Sequence, residues 1–219
     1  MVPARRLGRA LPRSFYARDS LELAPLLLNK VLVREEPGVG RVAARLVEVE
    51  AYHGSADPGS HGYRGMTPRT TTMFGPPGHL YVYFTYGMHW CANVVAEHAP
   101  GDAGAVLLRA AVPLEGIEAM RARRAAGDGK ARRDRELCAG PARLTQAFGV
   151  TGTHDGTDLT RGYLRLVDDG VPPPVEPFVS TRIGLSPGRG DESPWRFCVP
   201  GDPHVSRSPR GAIPHRSGT

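Results

Sequence analysis

The sequence is poor in the residues and patterns that several common chemistries require. Its three cysteines, Cys91, Cys138 and Cys198, stand far apart and form no C-x-x-C pair. An odd count without a secretory leader reads as a reducing compartment with buried or incidental thiols, not a disulfide framework. The eight histidines show no zinc-site spacing, and the H-x-E…P-C-x-x-C pattern of zinc-dependent base deaminases is missing. No apolar run reaches membrane length, at 40% hydrophobic residues, so a transmembrane segment is not expected. Gly38-Val39-Gly40 stands alone between two strand-like segments and makes no nucleotide fingerprint. Acidic residues are absent from 1–13, which hold Arg5, Arg6, Arg9 and Arg13, and from 206–219, which hold Arg207, Arg210 and Arg216.

The net charge of +6 therefore belongs to the ends. Setting those seven arginines aside leaves 21 basic against 22 acidic residues. Both ends, rich in Arg, Pro, Ser and Gly, read as disordered basic tails around one domain at 14–205. Within that domain residues 120–135 are basic: Arg121, Arg123, Arg124, Lys130, Arg132, Arg133 and Arg135 against Asp128 and Asp134. Such a cluster suits either a solvated loop and helix end or a track for phosphates.

A chain of 219 residues with 27 glycines and 21 prolines implies many short elements joined by turns. The pattern predicts a helix over 20–28 capped by Ser20, a strand over 30–34, a turn at 37–40 and a returning strand over 41–52. Residues 53–79 read as a long loop, which inside a domain is more often functional than idle. An aromatic hairpin follows, 79–85 and 88–96, turning at Tyr86-Gly87. A strand over 104–112, a helix over 114–126, a short helix begun by Pro141 and late strands at 164–167, 177–182 and 196–199 complete the reading. There is no internal repeat and no clear linker. The expected fold is mixed α/β (α+β): a single domain with a curved antiparallel sheet, flanking helices and a protruding aromatic β-hairpin.

On the strand Leu46-Val47-Glu48-Val49-Glu50-Ala51-Tyr52, alternation puts Glu48, Glu50 and Tyr52 on one face. A carboxylate among aromatic and amide groups suits a pocket in which rings stack on a flat base and the carboxylate activates water. Paired carboxylates at i, i+2 are also a weak metal signal. Tyr86 fits an aromatic packed at a hairpin end as well as a wedge.

These residues carry a resemblance. Val47-Glu48-Val49-Glu50-Ala51-Tyr52, His61, Thr67-Pro68-Arg69, Met73-Phe74, Tyr81-Val82-Tyr83, Tyr86-Gly87-Met88, Cys91, Asn93, Leu107-Leu108-Arg109-Ala110 and residues 134–141 follow in order the pattern of the alkyladenine (3-methyladenine) DNA glycosylase family. Thr181-Arg182-Ile183-Gly184 and Trp195-Arg196-Phe197 also fit it. The resemblance implies a glycosylase of base-excision repair that flips and hydrolytically excises alkylated or deaminated purines from double-stranded DNA. It implies Glu50 as the catalytic base, with Arg109, at the end of Val106-Leu107-Leu108, as a residue that would position that carboxylate or a neighbouring phosphate. Tyr52, His61, Tyr83 and Asn93 line the base pocket, with Asn93 set against the amino group of normal guanine, and Tyr86 intercalates. Arg69, Arg121, Arg124, Lys130, Arg132 and Arg133 are candidate phosphate contacts. No cofactor and no metal are expected.

The only lysines are Lys30, in an apolar strand, and Lys130, in the basic loop. That argues against a Schiff-base nucleophile and for a monofunctional enzyme. A monomer in the cytoplasm, nucleoid-associated if bacterial, is expected. The alternatives are a non-catalytic nucleic-acid-binding module of related fold and a metal-dependent nuclease using Glu48 and Glu50. Three departures from the family pattern stand out: Thr70 where relatives carry Asn, a small Ala92 expected to loosen the pocket wall, and an insertion at 97–104.

Overall fold

Two long strands carry the fold. β3 (Gly40–Tyr52) and β6 (Gly104–Glu115) are antiparallel neighbours, paired from Ala43 opposite Glu115 to Tyr52 opposite Ala105. The computed structural model describes residues 7–36, 40–126 and 133–206. Within them a curled antiparallel sheet runs in the order β1 (Arg9–Ala10), β8 (Leu164–Asp168), β2 (Val31–Glu36), β3, β6, β5 (His89–Ala96), β4 (His79–Thr85), β7 (Thr157–Asp158). On its β3 side, β2 reaches only the first half of that strand. Past Arg45 its place is taken by β10 (Arg196–Cys198), which pairs with Glu48–Glu50 and carries β9 (Phe178–Ser180) on its outer edge.

The period of two sorts the side chains. Val49 and Ala51 on β3, Leu80 and Val82 on β4, Ala92 and Val94 on β5, and Val106 and Leu108 on β6 join one buried cluster. That cluster is closed by α2 (Ser20–Leu27), α3 (Ile117–Ala125) and, after the single turn α4 (Asp134–Leu137), α5 (Pro141–Phe148), through Leu23, Leu27, Met120, Leu144 and Phe148. The opposite face of the same strands carries Glu48, Glu50, Tyr52, Tyr81, Tyr83, Asn93 and Arg109. Ala92 therefore faces the core and does not shape the pocket wall, contrary to expectation.

The pairing of β3 with β6 slips at the point where the charged residues sit. Glu48 lies opposite Ala110 and the next residue, Val49, opposite Leu108, so Arg109 is an extra residue in its strand. A bulge of this kind bends the strand and re-aims the side chain it carries. Residues 138–140 hold it from outside: Gly140 N–H donates to the Arg109 carbonyl at 3.1 Å and Ala111 N–H to that of Cys138 at 3.2 Å.

Several boundaries differ from the sequence reading. β6 runs on to Glu115, so Leu114 ends a strand and does not begin a helix; α3 starts only after Gly116, at φ +72°. A Cβ at Gly116 would lie 2.4 Å from the Arg41 carbonyl oxygen, so the change from strand to helix depends on that glycine. The cap of α2 is Asp19, whose Oδ1 accepts the Leu21 N–H at 2.8 Å, and not Ser20. The 53–79 stretch contains two 3-10 turns, Gly54–Ala56 and Thr71–Phe74. Thr70 closes its loop by accepting from the Thr67 N–H at 2.9 Å, and Asp102 of the 97–104 segment braces it by accepting from the Ser55 N–H at 2.8 Å.

Residues 7–13 and Ser206, expected in disordered basic tails, are packed into the domain. Arg9–Ala10 pairs with Val167 and Asp168, Leu11 is buried, and Arg13, in α1 (Arg13–Tyr16), reaches Asp158 at 2.7 Å. Ser206 is likewise buried in the domain. Residues 1–6, the 37–39 turn and 207–219 lie outside the described residues. The hinge between β6 and α3 is testable. Gly116→Ala should cost about 1–3 kcal/mol from left-handed backbone strain alone, read as a lower denaturant midpoint with an unchanged slope.

Candidate active site

The charged face of the sheet forms the back of a cavity of about 320 Å³. Tyr52, His61, Tyr81 and Tyr83 supply its rings, Asn93 and Cys91 come from β5, Arg109 from β6, and Ile183-Gly184-Leu185 from the segment after β9. The size and the ring-lined walls suit a flat aromatic ligand.

Glu50 is fully buried and lies directly behind this wall. Its Oε1 accepts the Ile183 N–H at 2.7 Å; its Oε2 accepts the Tyr52 hydroxyl at 3.1 Å and Arg109 Nη1 at 3.0 Å. All three partners line the cavity. Burial raises the Glu50 carboxyl above its ordinary value, with Arg109 and the Ile183 N–H working against that shift.

Glu48 is equally buried but differently held. Its Oε1 accepts from Arg109 Nε at 2.8 Å, Arg196 Nε at 2.7 Å and Ser206 Oγ at 2.8 Å, and its Oε2 accepts the Ser206 N–H at 2.6 Å. Burial pushes its carboxyl up, but the Arg109 and Arg196 guanidiniums outweigh that and keep it below the ordinary range. Two carboxylates thus face two guanidiniums in one dry cluster. Arg109 joins them, one nitrogen on each glutamate. Its own charge is reinforced: burial lowers its basicity, and Glu50 and Glu48 more than restore it. With both carboxylates taken up by arginines, nothing here favours the nuclease alternative.

A second buried pair supports Tyr52. Arg182 grips Asp57 with both terminal nitrogens, at 2.6 and 2.7 Å, and lies over the rings of Tyr52 and Trp195 at 4.6 and 4.9 Å. Across the cavity His61 meets Tyr83 edge-on, centroids 4.5 Å apart, and its Nδ1 is 3.0 Å from the Tyr81 hydroxyl. Burial, then Arg69, lowers the basicity of His61, favouring a neutral ring. Asn93 is buried, its amide nitrogen donating to the Tyr81 carbonyl at 3.3 Å.

Tyr86 stands at the tip of the β4–β5 hairpin, 78% exposed, so it is not packed at the hairpin end. Its φ of +50°, beside Gly87 at +64°, is a conformation that side-chain-bearing residues seldom adopt. Met88 beside it is 69% exposed.

The basic candidates fare unevenly. Arg69 donates to the Phe84 carbonyl at 3.0 Å and lies 5.6 Å from the Tyr83 ring centre, bracing the hairpin. Arg124 is buried and bonded to Gln146, so it does not present its charge at the surface as a phosphate contact would. Arg121 pairs with Glu118 and Asp134, and Arg133 with Glu136 at 3.0 Å. Lys130 and Arg132 lie outside the described residues. Lys30 is buried and bound to Asp168 at 2.7 Å.

Sequence reasoning missed several parts. Tyr81 lines the cavity, two residues from Tyr83 on the same strand face, a signal that was available. Arg196, Ser206 and Ile183 reach the glutamates from more than 130 residues away, and no local pattern marks them. Sequence spacing also gave no sign that Asp19, His53 and His98 come together, with one possible ligand atom from each within 4.8 Å of the other two.

A curled antiparallel sheet thus sets an exposed aromatic hairpin tip beside a ring-walled cavity backed by a buried carboxylate, an arrangement suited to holding a flat base. The comparisons make this specific. The model of the methylpurine-DNA glycosylase (MPG) family matches residues 14–203. Proteins named "Putative 3-methyladenine DNA glycosylase" are similar along most of the chain. One from Burkholderia cenocepacia (strain HI2424) is 52% identical over 210 residues, 94% of each chain. One from Streptomyces avermitilis is 50% identical over 199 residues, 90% of each chain. Another, from Carboxydothermus hydrogenoformans, is 48% identical over 198 residues, 90% of this chain and 98% of the relative. The chain belongs to the methylpurine-DNA glycosylase family.

The charge cluster predicts its own disruption. Arg196→Met should leave Glu48 short of a partner and cost about 3–5 kcal/mol near neutral pH. Because the folded-state pKa of Glu48 is depressed, its contribution to stability is present above the unfolded pKa and is lost as pH falls through the folded one. Denaturation curves of parent and variant should therefore converge in acid.

Proposed function

We propose that Glu50 is the catalytic base with which this DNA glycosylase releases damaged purines. Membership of the family makes the chain a hydrolase of N-glycosidic bonds that acts on alkylated bases in DNA repair. The observation that supports the assignment of Glu50 is its setting: both carboxylate oxygens are bonded only to groups that line the cavity.

In this reading the extruded base enters between Tyr52 on one side and His61 and Tyr83 on the other. Alkylated purines carry positive charge, and electron-rich rings hold them by stacking and cation–π attraction. Asn93, its amide fixed by the Tyr81 carbonyl, meets the purine edge and disfavours the amino group of normal guanine. A water seated between Tyr52 and Arg109 completes the shell of Glu50. As the glycosidic bond breaks, its electron pair leaves with the base, the water oxygen bonds to the sugar carbon, and Glu50 takes the water's proton. Arg109 holds the carboxylate in place and spans it to Glu48. Tyr86, in its fixed turn at the hairpin tip, fills the gap left in the duplex. Hypoxanthine and ethenoadenine are accepted alongside 3-methyladenine and 7-methylguanine. The enzyme is monofunctional, since no lysine among the described residues reaches the cavity. It works on duplex DNA as a monomer in the cytoplasm, at the nucleoid if the cell is bacterial.

Single-turnover excision on alkylated duplex tests the base. Glu50→Gln should lose about a hundred- to ten-thousand-fold in rate while binding the same duplex nearly as well. A variant with the parental rate would remove Glu50 from the mechanism. The raised pKa of Glu50 should also move the acid limb of the parent's rate profile above the ordinary carboxylate range, because the base is lost as pH falls through it. Tyr86→Ala should weaken binding to lesion duplex far more than to plain duplex, since unstacking costs a few kcal/mol that the ring offsets only when a base is out. Equal losses on the two duplexes, in parallel binding titrations, would reduce Tyr86 to a structural role.

A further inference from the structure

We propose that Asp19, His53 and His98 form a binding site for a zinc-class divalent cation, behind the end of β3 and separate from the glycosidic chemistry. The three residues come from distant parts of the chain. Asp19 caps α2, His53 follows Tyr52 at the end of β3, and His98 lies in the turn after β5. Asp19 Oδ2 is 3.2 Å from His53 Nδ1. The His53 and His98 rings are 5.2 Å apart at 62°. One ligand atom from each of the three lies within 4.8 Å of the other two, and all three side chains are partly buried.

Metal bonds of about 2.0–2.2 Å bring tetrahedral ligand atoms to roughly 3.3 Å from one another. The Asp19–His53 pair already has this spacing, and a possible His98 ligand atom lies within 4.8 Å of both. His98 also has unused bonding capacity, for its Nε2 is buried with no hydrogen-bond partner. The positive end of α2 opposes a cation, but the Asp19 carboxylate already sits on it.

Two imidazoles and one carboxylate select zinc, cobalt or nickel over magnesium or calcium. Three protein ligands leave a further position for water. A bound ion would tie the start of α2 to the ends of β3 and β5. It would also fix the first residue of the loop whose Asp57 accepts the His53 N–H at 3.1 Å.

The test uses the full chain, stripped with chelator and titrated with Co²⁺ and then Zn²⁺. The parent should take up one equivalent of Co²⁺ with visible absorption bands, lose them to Zn²⁺, and show a higher Tm with Zn²⁺. Mg²⁺ should do neither. His98→Gln and Asp19→Asn should each lose at least about tenfold in affinity, no less than the loss of an outer-shell partner costs. Asparagine caps a helix as well as aspartate does, so Asp19→Asn should keep the metal-free Tm while losing the ion. Metal-free His98→Gln should excise as the metal-free parent does, which shows an intact fold. Parental affinity in both variants would place the ion on other histidines and overturn the proposal. So would a parent that takes up no cobalt.

Discussion

The structure turns on a buried four-charge cluster. Glu48 and Glu50 share a face of β3, Arg109 bridges them from β6, and Arg196 closes the set from β10. Isolated, either carboxylate would be costly to bury, and so would either guanidinium. Together they balance, and Ser206 fills two of the remaining bonding positions on Glu48. Buried pairs add little net stability over apolar packing, but removing one member is expensive. What the cluster achieves is placement. It holds one carboxylate at the back of the cavity, with a raised affinity for protons and a fixed orientation.

That placement depends on an irregularity in the sheet. A regular pairing of β3 with β6 would alternate Arg109 with its neighbours in strict register. The extra residue at Arg109 turns its side chain across both glutamates, while Leu108 keeps its place in the core. The same alternation assigns the two sheet faces to different tasks. Aliphatic residues at one phase pack against three helices; aromatic, amide and charged residues at the other phase wall the cavity. The hairpin extends this logic, with buried Leu80 and Val82 anchoring a tip whose large side chains stand in solvent.

What could be read in advance follows from the range of the forces involved. The common face of Glu48, Glu50 and Tyr52 is a local consequence of strand geometry, and the pattern shows it directly. The aromatic hairpin and the Gly140-Pro141 helix start are equally local. Asp19 against Ser20 as helix cap, and Leu114 as strand end against helix start, are one- to three-residue ambiguities that only the tertiary setting decides. Arg196, Ser206 and Ile183 were invisible as partners of the glutamates because their contacts close over more than 130 residues. Arg124, read as surface charge, is buried because α3 packs on α5 and sets it against Gln146. The convergence of Asp19, His53 and His98 has no spacing to announce it, since the three sit on separate elements that only the folded sheet brings together.

The Ser206 contact carries a consequence for the life of the molecule. Ribosomes build chains from the amino end, so Glu48 and Glu50 are made long before Arg196 and Ser206. Until those last residues arrive, the two glutamates lack half of their neutralising charge and cannot both stay ionised in a closed interior. The pocket is thus finished by the final stretch of the domain to be made. A nascent chain therefore lacks the residues that close the charge cluster behind the cavity until Arg196 and Ser206 have been made.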